Sequence, residues 1–201
     1  MIKIGLAGGS GSGKGYVSAR LLAEGIPSFD CDAVYHRMIS SDSEVSRELI
    51  AAFGSDIATQ NGGIDRGALR GVVFSDGAES RRLLLNEITH KHVRRACMDW
   101  LDEMQKSGTK AAIVDAPLLF ESGFDALCDL KVSVVASEEI RIRRIMLRDS
   151  LTREAAERRI RSQMTEAQLR KRSDFVIIND GDESALAEQI RQLLKTIKEN
   201  K

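Results

Sequence analysis

The chain lacks a net charge: across 201 residues, 30 Lys and Arg stand against 30 Asp and Glu. A neutral surface does not attract a polyanion, which argues against a general nucleic-acid or anionic-membrane binder. Long apolar runs are missing as well. No stretch of roughly 18 apolar residues occurs, so no membrane-spanning helix is expected. The opening segment MIKIGLAGGS carries one lysine and then turns glycine-rich, without the apolar stretch and cleavage site of a signal peptide. Cysteine is scarce. Cys31, Cys97 and Cys128 are odd in number, far apart and outside any CxxC pattern. They suggest neither a disulfide framework nor a zinc site, and they fit reduced thiols in a cytoplasmic protein. His90 and His92, two apart on an expected helix, point in different directions, which argues against a metal pair. With only 2 prolines, no low-complexity linker and no internal repeat, residues 1–201 read as a single domain. The hydrophobic fraction of 42% is enough for a real core.

What is present has a regular rhythm. Short apolar runs at 2–7, 27–29, 110–114, 131–135 and 175–178 predict five strands. Helical periodicity fills the intervals. A helix is expected over 14–23, with Val17, Leu21 and Leu22 on one side and Gly25 as its stop. Residues 32–52 read as helical with a break near Ser40–Asp42, and 66–107 as mostly helical, with Leu83, Leu84, Ile88, Val93 and Leu101 as buried positions. Two or three Arg-rich helices are expected over 138–172. A last helix covers 183–197, burying Leu186, Ile190, Leu193 and Leu194, and Asn200-Lys201 reads as a frayed end. The alternation predicts an α/β fold: a five-stranded parallel sheet with helices on both faces. Ligands of such sheets bind beyond the carboxyl ends of the strands, where Gly8–Gly13, Asp30–Asp32, Asp115–Glu121 and Asn179–Gly181 fall.

Residues 8–15, GGSGSGKG, fit the phosphate-loop pattern G-x-x-x-x-G-K. Small residues let the backbone curl round a phosphate with its N–H groups inward, and the helix N-terminus and Lys14 add positive charge. The pattern's last position supplies a hydroxyl to magnesium. Here it is Gly15, followed by Tyr16, so one metal ligand is lost and water must replace it. The run AAIVD ends in Asp115, which could hold magnesium through water. Asp30-Cys31-Asp32 ends the second strand, where a carboxylate could take a hydroxyl proton, and Asp32 could also cap a helix starting at Ala33. Between 137 and 172, eleven basic side chains meet six acidic ones, a local charge of +5. Arg141, Arg144 and Arg148 are spaced to share one helical face, and such a face could close over a triphosphate.

Taken together, these elements resemble the dephospho-coenzyme A kinase family over essentially the whole chain. The marks are IGLAGGSGSGK, FDCDAVYH (Phe29–His36), FGSDI (Phe53–Ile57), IDRGALRGVVFSD (Ile64–Asp76), APLLFESG (Ala116–Gly123), RRIMLRD (Arg143–Asp149), TREAAERRIRSQM (Thr152–Met164) and SDFVIINDG (Ser173–Gly181). The resemblance implies a three-layer P-loop kinase fold with a helical acceptor-binding region at 41–107 and a lid at 138–172. It implies transfer of a phosphoryl group from ATP, with magnesium, to the ribose 3′-hydroxyl of dephospho-coenzyme A. Asp32 would be the base, and Lys14, Arg144 and Arg148 would act on the transferring phosphates. Gly9, Ser10, Gly11, Ser12, Gly13, Gly15, Tyr16, Asn179 and Gly181 would line the ATP site, the last two near adenine. His90, Pro117, Leu118, Phe120 and Glu121 would lie near the acceptor. No nucleic acid or membrane is implied as a partner, and a monomer or small homo-oligomer is expected. Two departures stand out: Gly15 for Ser or Thr, and Lys91 where the family has Pro. Two other readings stay open: a different small-molecule or nucleotide kinase, and a non-catalytic nucleotide-binding homologue lacking the loop hydroxyl.

Overall fold

Alternation along β1 (Ile2–Ala7) shows how the sheet is covered. Ile4 and Leu6 face one side and join a buried cluster with Ile113, Val132, Val134 and Ile177 of neighbouring strands. A computed structural model describes residues 1–75 and 77–199. Asp76, the last residue of the Ile64–Asp76 motif, and the expected frayed Asn200-Lys201 lie outside the described residues. The sheet contains β2 (Ser28–Asp30), β3 (Ala111–Asp115), β4 (Leu130–Val135) and β5 (Phe175–Ile178) in the order β2-β3-β1-β4-β5. The pairings of β1 with β3, β1 with β4 and β4 with β5 are parallel, as continuous apolar runs buried on both faces predict.

The chain divides into two compact units: Met1–Phe29 with everything from Leu101 on, and Asp30–Trp100. In the first, α1 (Lys14–Ala23) and α9 (Glu183–Glu199) cover one sheet face. Val17 and Leu21 of α1, and Leu186, Ile190, Leu193 and Ile197 of α9, repeat every three to four residues and complete the cluster. Leu194 is only partly buried against it. Leu22, expected beside Val17 and Leu21, is 56% exposed. At about 100° per residue it lies about 140° round the helix from Val17, off the buried stripe. Toward the other face, the Ser133 hydroxyl lies 2.6 Å from that of Ser173, which donates to the Leu169 carbonyl. Leu169 belongs to α8 (Glu166–Arg172), which follows α6 (Glu138–Asp149) and α7 (Arg153–Arg161), so the Arg-rich segment forms three helices.

The second unit is helical. It holds α2 (Cys31–Met38), α3 (Glu44–Phe53), α4 (Arg66–Val73) and most of α5 (Glu79–Lys106). The break near Ser40–Asp42 is real, with Ser43 capping α3 by accepting from Ser46 N–H. Its core joins Ile39, Val45, Leu49, Ile57, Ile64, Leu69, Val73 and Ile88. Along α5, Ile88, Val93, Cys97 and Leu101 are buried, whereas Leu83 is 64% exposed and Leu84 is exposed too. The buried stripe enters through Leu85 instead, in phase with Ile88, so the two leucines before it point outward. The cap of α2 also differs from expectation. Helix begins at Cys31, and Asp30, with extended backbone at the strand end, accepts the Ala33 N–H at 2.9 Å. Asp32 therefore sits in the first turn and does not cap the helix.

Candidate active site

At the carboxyl end of β1 the chain turns through Gly8–Gly13 into α1. A tight loop must leave some backbone groups unpaired, and here the division is one-sided. The carbonyls are held from outside: Arg141 Nε donates to Ser10 O at 2.9 Å, Arg144 Nη1 to Gly11 O at 3.2 Å, and Asn179 Nδ2 to Ser12 O at 2.9 Å. Gly9 O accepts the Ser12 N–H. The N–H groups of Gly11, Gly13, Lys14 and Gly15 meet no acceptor among the described residues. Gly13, the residue before α1, has φ 87°, and no side chain caps the helix. That left-handed turn favours glycine, and a Cβ there would meet Asn179 Nδ2 at 2.0 Å. An uncapped helix start with a row of free amides is an anion cradle.

Charge is arranged around that cradle. Lys14 Nζ pairs with Asp115 Oδ1 at the end of β3, and both side chains are largely buried. Two buried charges persist because each compensates the other. Arg141 is 7% exposed and belongs to the buried core. Burial pushes its guanidinium below the ordinary arginine range, with Glu138 and Glu166 opposing that. Arg144 Nη2 also donates to Asn179 Oδ1 at 3.3 Å, so Arg144 and Asn179 brace each other behind the loop. Beside them lies a hollow of about 300 Å³ lined by Tyr16, Arg144, Asn179, Gly181, Asp182, Glu183 and Leu186. The Tyr16 hydroxyl donates to Glu183 Oε1 at 3.1 Å across its rim.

The fold therefore brings together Ser10, Ser12, Lys14, Asp115, Arg144 and Asn179, with Tyr16 and Gly181 at the adjoining hollow. Arg148 goes elsewhere. It is two helical turns, about 10 Å, further along α6 than Arg141, and its guanidinium grips Asp149 through two bonds of 2.8 and 2.9 Å. In the segment after β3, Leu118 and Glu121 are exposed and Phe120 is buried, with Arg172 stacked 4.8 Å from its ring centre. Asp32 and His90 belong to the second unit. Asp32 is exposed in the first turn of α2. His90 is half-buried, and burial pushes its imidazole below the ordinary histidine range. Two partners of the loop escape residue-by-residue reading. Arg141 shows only in the three-and-four spacing of the arginines, as support and not as a free face. Gln163, hydrogen-bonded to Ser10, falls within the Thr152–Met164 mark of the resemblance, but nothing in that run points to the loop as its partner.

The comparisons with known proteins point the same way. A family model described as dephospho-CoA kinase matches residues 2–185. The dephospho-CoA kinase of Geobacillus kaustophilus is 38% identical over 194 residues, covering 96% of each chain. A solved Thermus thermophilus structure superposes with a TM-score of 0.82 at 34% identity, over 97% of each chain. The Campylobacter jejuni dephospho-CoA kinase shares the fold, with a TM-score of 0.73 at 24% identity over 99% of this chain and 98% of that one. With a match that runs from the phosphate loop through the Arg-rich helices to β5, this chain belongs to the dephospho-CoA kinase family.

Proposed function

We propose that the chain is an ATP-dependent kinase that phosphorylates the ribose 3′-hydroxyl of dephospho-coenzyme A to give coenzyme A. The observation that carries the reading is the loop whose carbonyls are tied outward by Arg141, Arg144 and Asn179, leaving four amides and Lys14 for a polyphosphate. Family membership supports the acceptor. The bond between the γ-phosphorus and the bridging oxygen to ADP breaks, and a bond to the ribose 3′ oxygen forms. The acceptor's proton goes to Asp32, the base. Lys14 exchanges part of its hold on Asp115 for phosphate oxygens. The hollow beside Tyr16, Asn179 and Gly181 takes the donor's base, where Asp182 and Glu183 offer acceptors to an exocyclic amine. Arg148 adds positive charge when the lid segment closes.

Magnesium is the implied cofactor, and the donor chemistry suits it. Asp115 presents a hard carboxylate at the strand end beside Lys14, whereas Gly15 presents no oxygen. Asp115 would hold the ion through water, and the ion would supply positive charge to the donor's phosphates. His90, Pro117, Leu118, Phe120 and Glu121 are assigned to the acceptor side. The setting is cytoplasmic, as a monomer or small homo-oligomer.

The test is an acceptor panel incubated with ATP while magnesium is titrated. Dephospho-coenzyme A is expected to be the preferred acceptor. Faster phosphorylation of a nucleoside monophosphate would sink this reading, and tight ATP binding without transfer would make the chain a non-catalytic binder. Asp32→Asn is expected to lose most turnover and keep ATP binding in calorimetry. Loss of both would make Asp32 structural.

A further inference from the structure

Among the described residues, Ser10 is the loop residue whose N–H, hydroxyl and carbonyl all have partners. Its N–H donates to Gln163 Oε1 at 2.9 Å, its hydroxyl accepts from Gln163 Nε2 at 3.2 Å, and its carbonyl accepts from Arg141 Nε at 2.9 Å. Gln163 Oε1 accepts a second bond, from Arg141 Nη2 at 3.1 Å. The pair presses flat against Gly9, where a Cβ would meet Arg141 Nη2 at 2.4 Å and Gln163 Oε1 at 2.9 Å. Gln163 lies in the turn between α7 and α8, 153 residues from Ser10 in sequence. The primary amide of Gln163 accepts from two donors with its oxygen and donates with its nitrogen. The Ser10 amide thus differs from those of Gly11, Gly13, Lys14 and Gly15: it anchors the loop and is not offered to a ligand.

We infer that Gln163 is a positioning residue for the phosphoryl donor. It fixes the upstream limb of the phosphate loop to the α7–α8 turn of the Arg-rich segment, so loop shape and lid position are set together. The inference rests on the reading of this loop as the ATP cradle. It acts through Ser10 and Arg141, so its loss falls on the donor side and spares the acceptor. Without Gln163, the Ser10 amide and one Arg141 nitrogen lose their acceptor. The loop's free amides then no longer converge in advance on one anion.

The test compares Gln163→Met, which keeps the bulk and loses the bonds, with Gln163→Glu, which keeps the acceptor oxygen. Gln163→Met is expected to raise the calorimetric Kd and the KM for ATP about tenfold, a part of what its three hydrogen bonds, one of them from a guanidinium, contribute to holding the loop. The KM for dephospho-coenzyme A should stay within about twofold. Hydrogen exchange at the Ser10 amide should speed up, and Gln163→Glu should recover most of the ATP affinity. Wild-type ATP affinity with unchanged loop exchange in Gln163→Met would overturn the inference. Equal losses in both variants with a matching fall in thermal midpoint would also overturn it, since that is ordinary destabilisation. Failure of the unaltered protein to bind ATP would instead remove the cradle reading beneath it, and the inference with it.

Discussion

Lys14 and Asp115 hold each other in a nearly dry position, so neither can be removed without leaving a charge behind. Lys14→Ala therefore has two expected effects. Steady-state kinetics should show kcat/KM falling by on the order of 3–4 kcal/mol in transition-state terms, the loss of a charged donor in a closed site. Thermal unfolding should show a lower midpoint from the orphaned carboxylate. A near-normal kcat/KM would refute the phosphate-loop assignment. Gly15 is the opposite case. A Cβ there meets nothing within 4 Å, so Gly15→Ser introduces the missing hydroxyl without repacking. The variant should turn over modestly faster and saturate at lower magnesium in a metal titration. If neither changes, the hydroxyl is not what limits this site.

Among the elements, α6 has the most divided duty. Its first two turns commit Arg141 and Arg144 to the loop, while its end ties Arg148 to Asp149. Asp149 also takes Arg159 of α7, across a junction where Ser150 adopts φ 53°. The bond from Arg148 first, then that from Arg159, holds the Asp149 carboxyl down at about 2, against an ordinary 3.8. A carboxyl depressed on folding adds stability above its unfolded value, and that stability drains away as pH falls from about 4 to about 2. Asp149→Asn should flatten that part of the acid-unfolding curve followed by circular dichroism. An unchanged curve would show that the α6–α7 junction does not depend on this carboxylate. Helix phase also explains what was hard to read. Strand positions, to about a residue, and the helical regions follow from hydrophobic period, but the division of 66–107 into two helices does not, and Leu22, Leu83 and Leu84 are exposed despite being leucines. A leucine a residue or two off the stripe looks like core in composition and is surface in geometry. The Asp30 cap was hidden for a related reason, since two aspartates two apart both suit a helix start.

For the whole molecule, the site was legible where chemistry is local in sequence and opaque where it is not. The loop, Lys14 and Asp115 carry their signals within short runs. Arg141 and Gln163 matter through contacts spanning 131 and 153 residues, which no periodicity reports. The zero net charge conceals the same unevenness, with +5 concentrated over 137–172. Because ATP binds only the folded cradle, ligand at about a hundred times its Kd should add about 2.7 kcal/mol of stability. A thermal-shift series with ATP and ADP checks this, and a midpoint indifferent to both would argue against a preformed site. The packing around the loop also bears on how the sequence can drift. Gly9, Gly11 and Gly13 are walled in by Arg141, Gln163 or Asn179, while Gly15 faces open space. Packing therefore bars a side chain from the upstream and middle loop and leaves room for one at its last position. Gly15, one of the two departures from the pattern that the resemblance implies, is the position in this loop where a side chain would meet no neighbour.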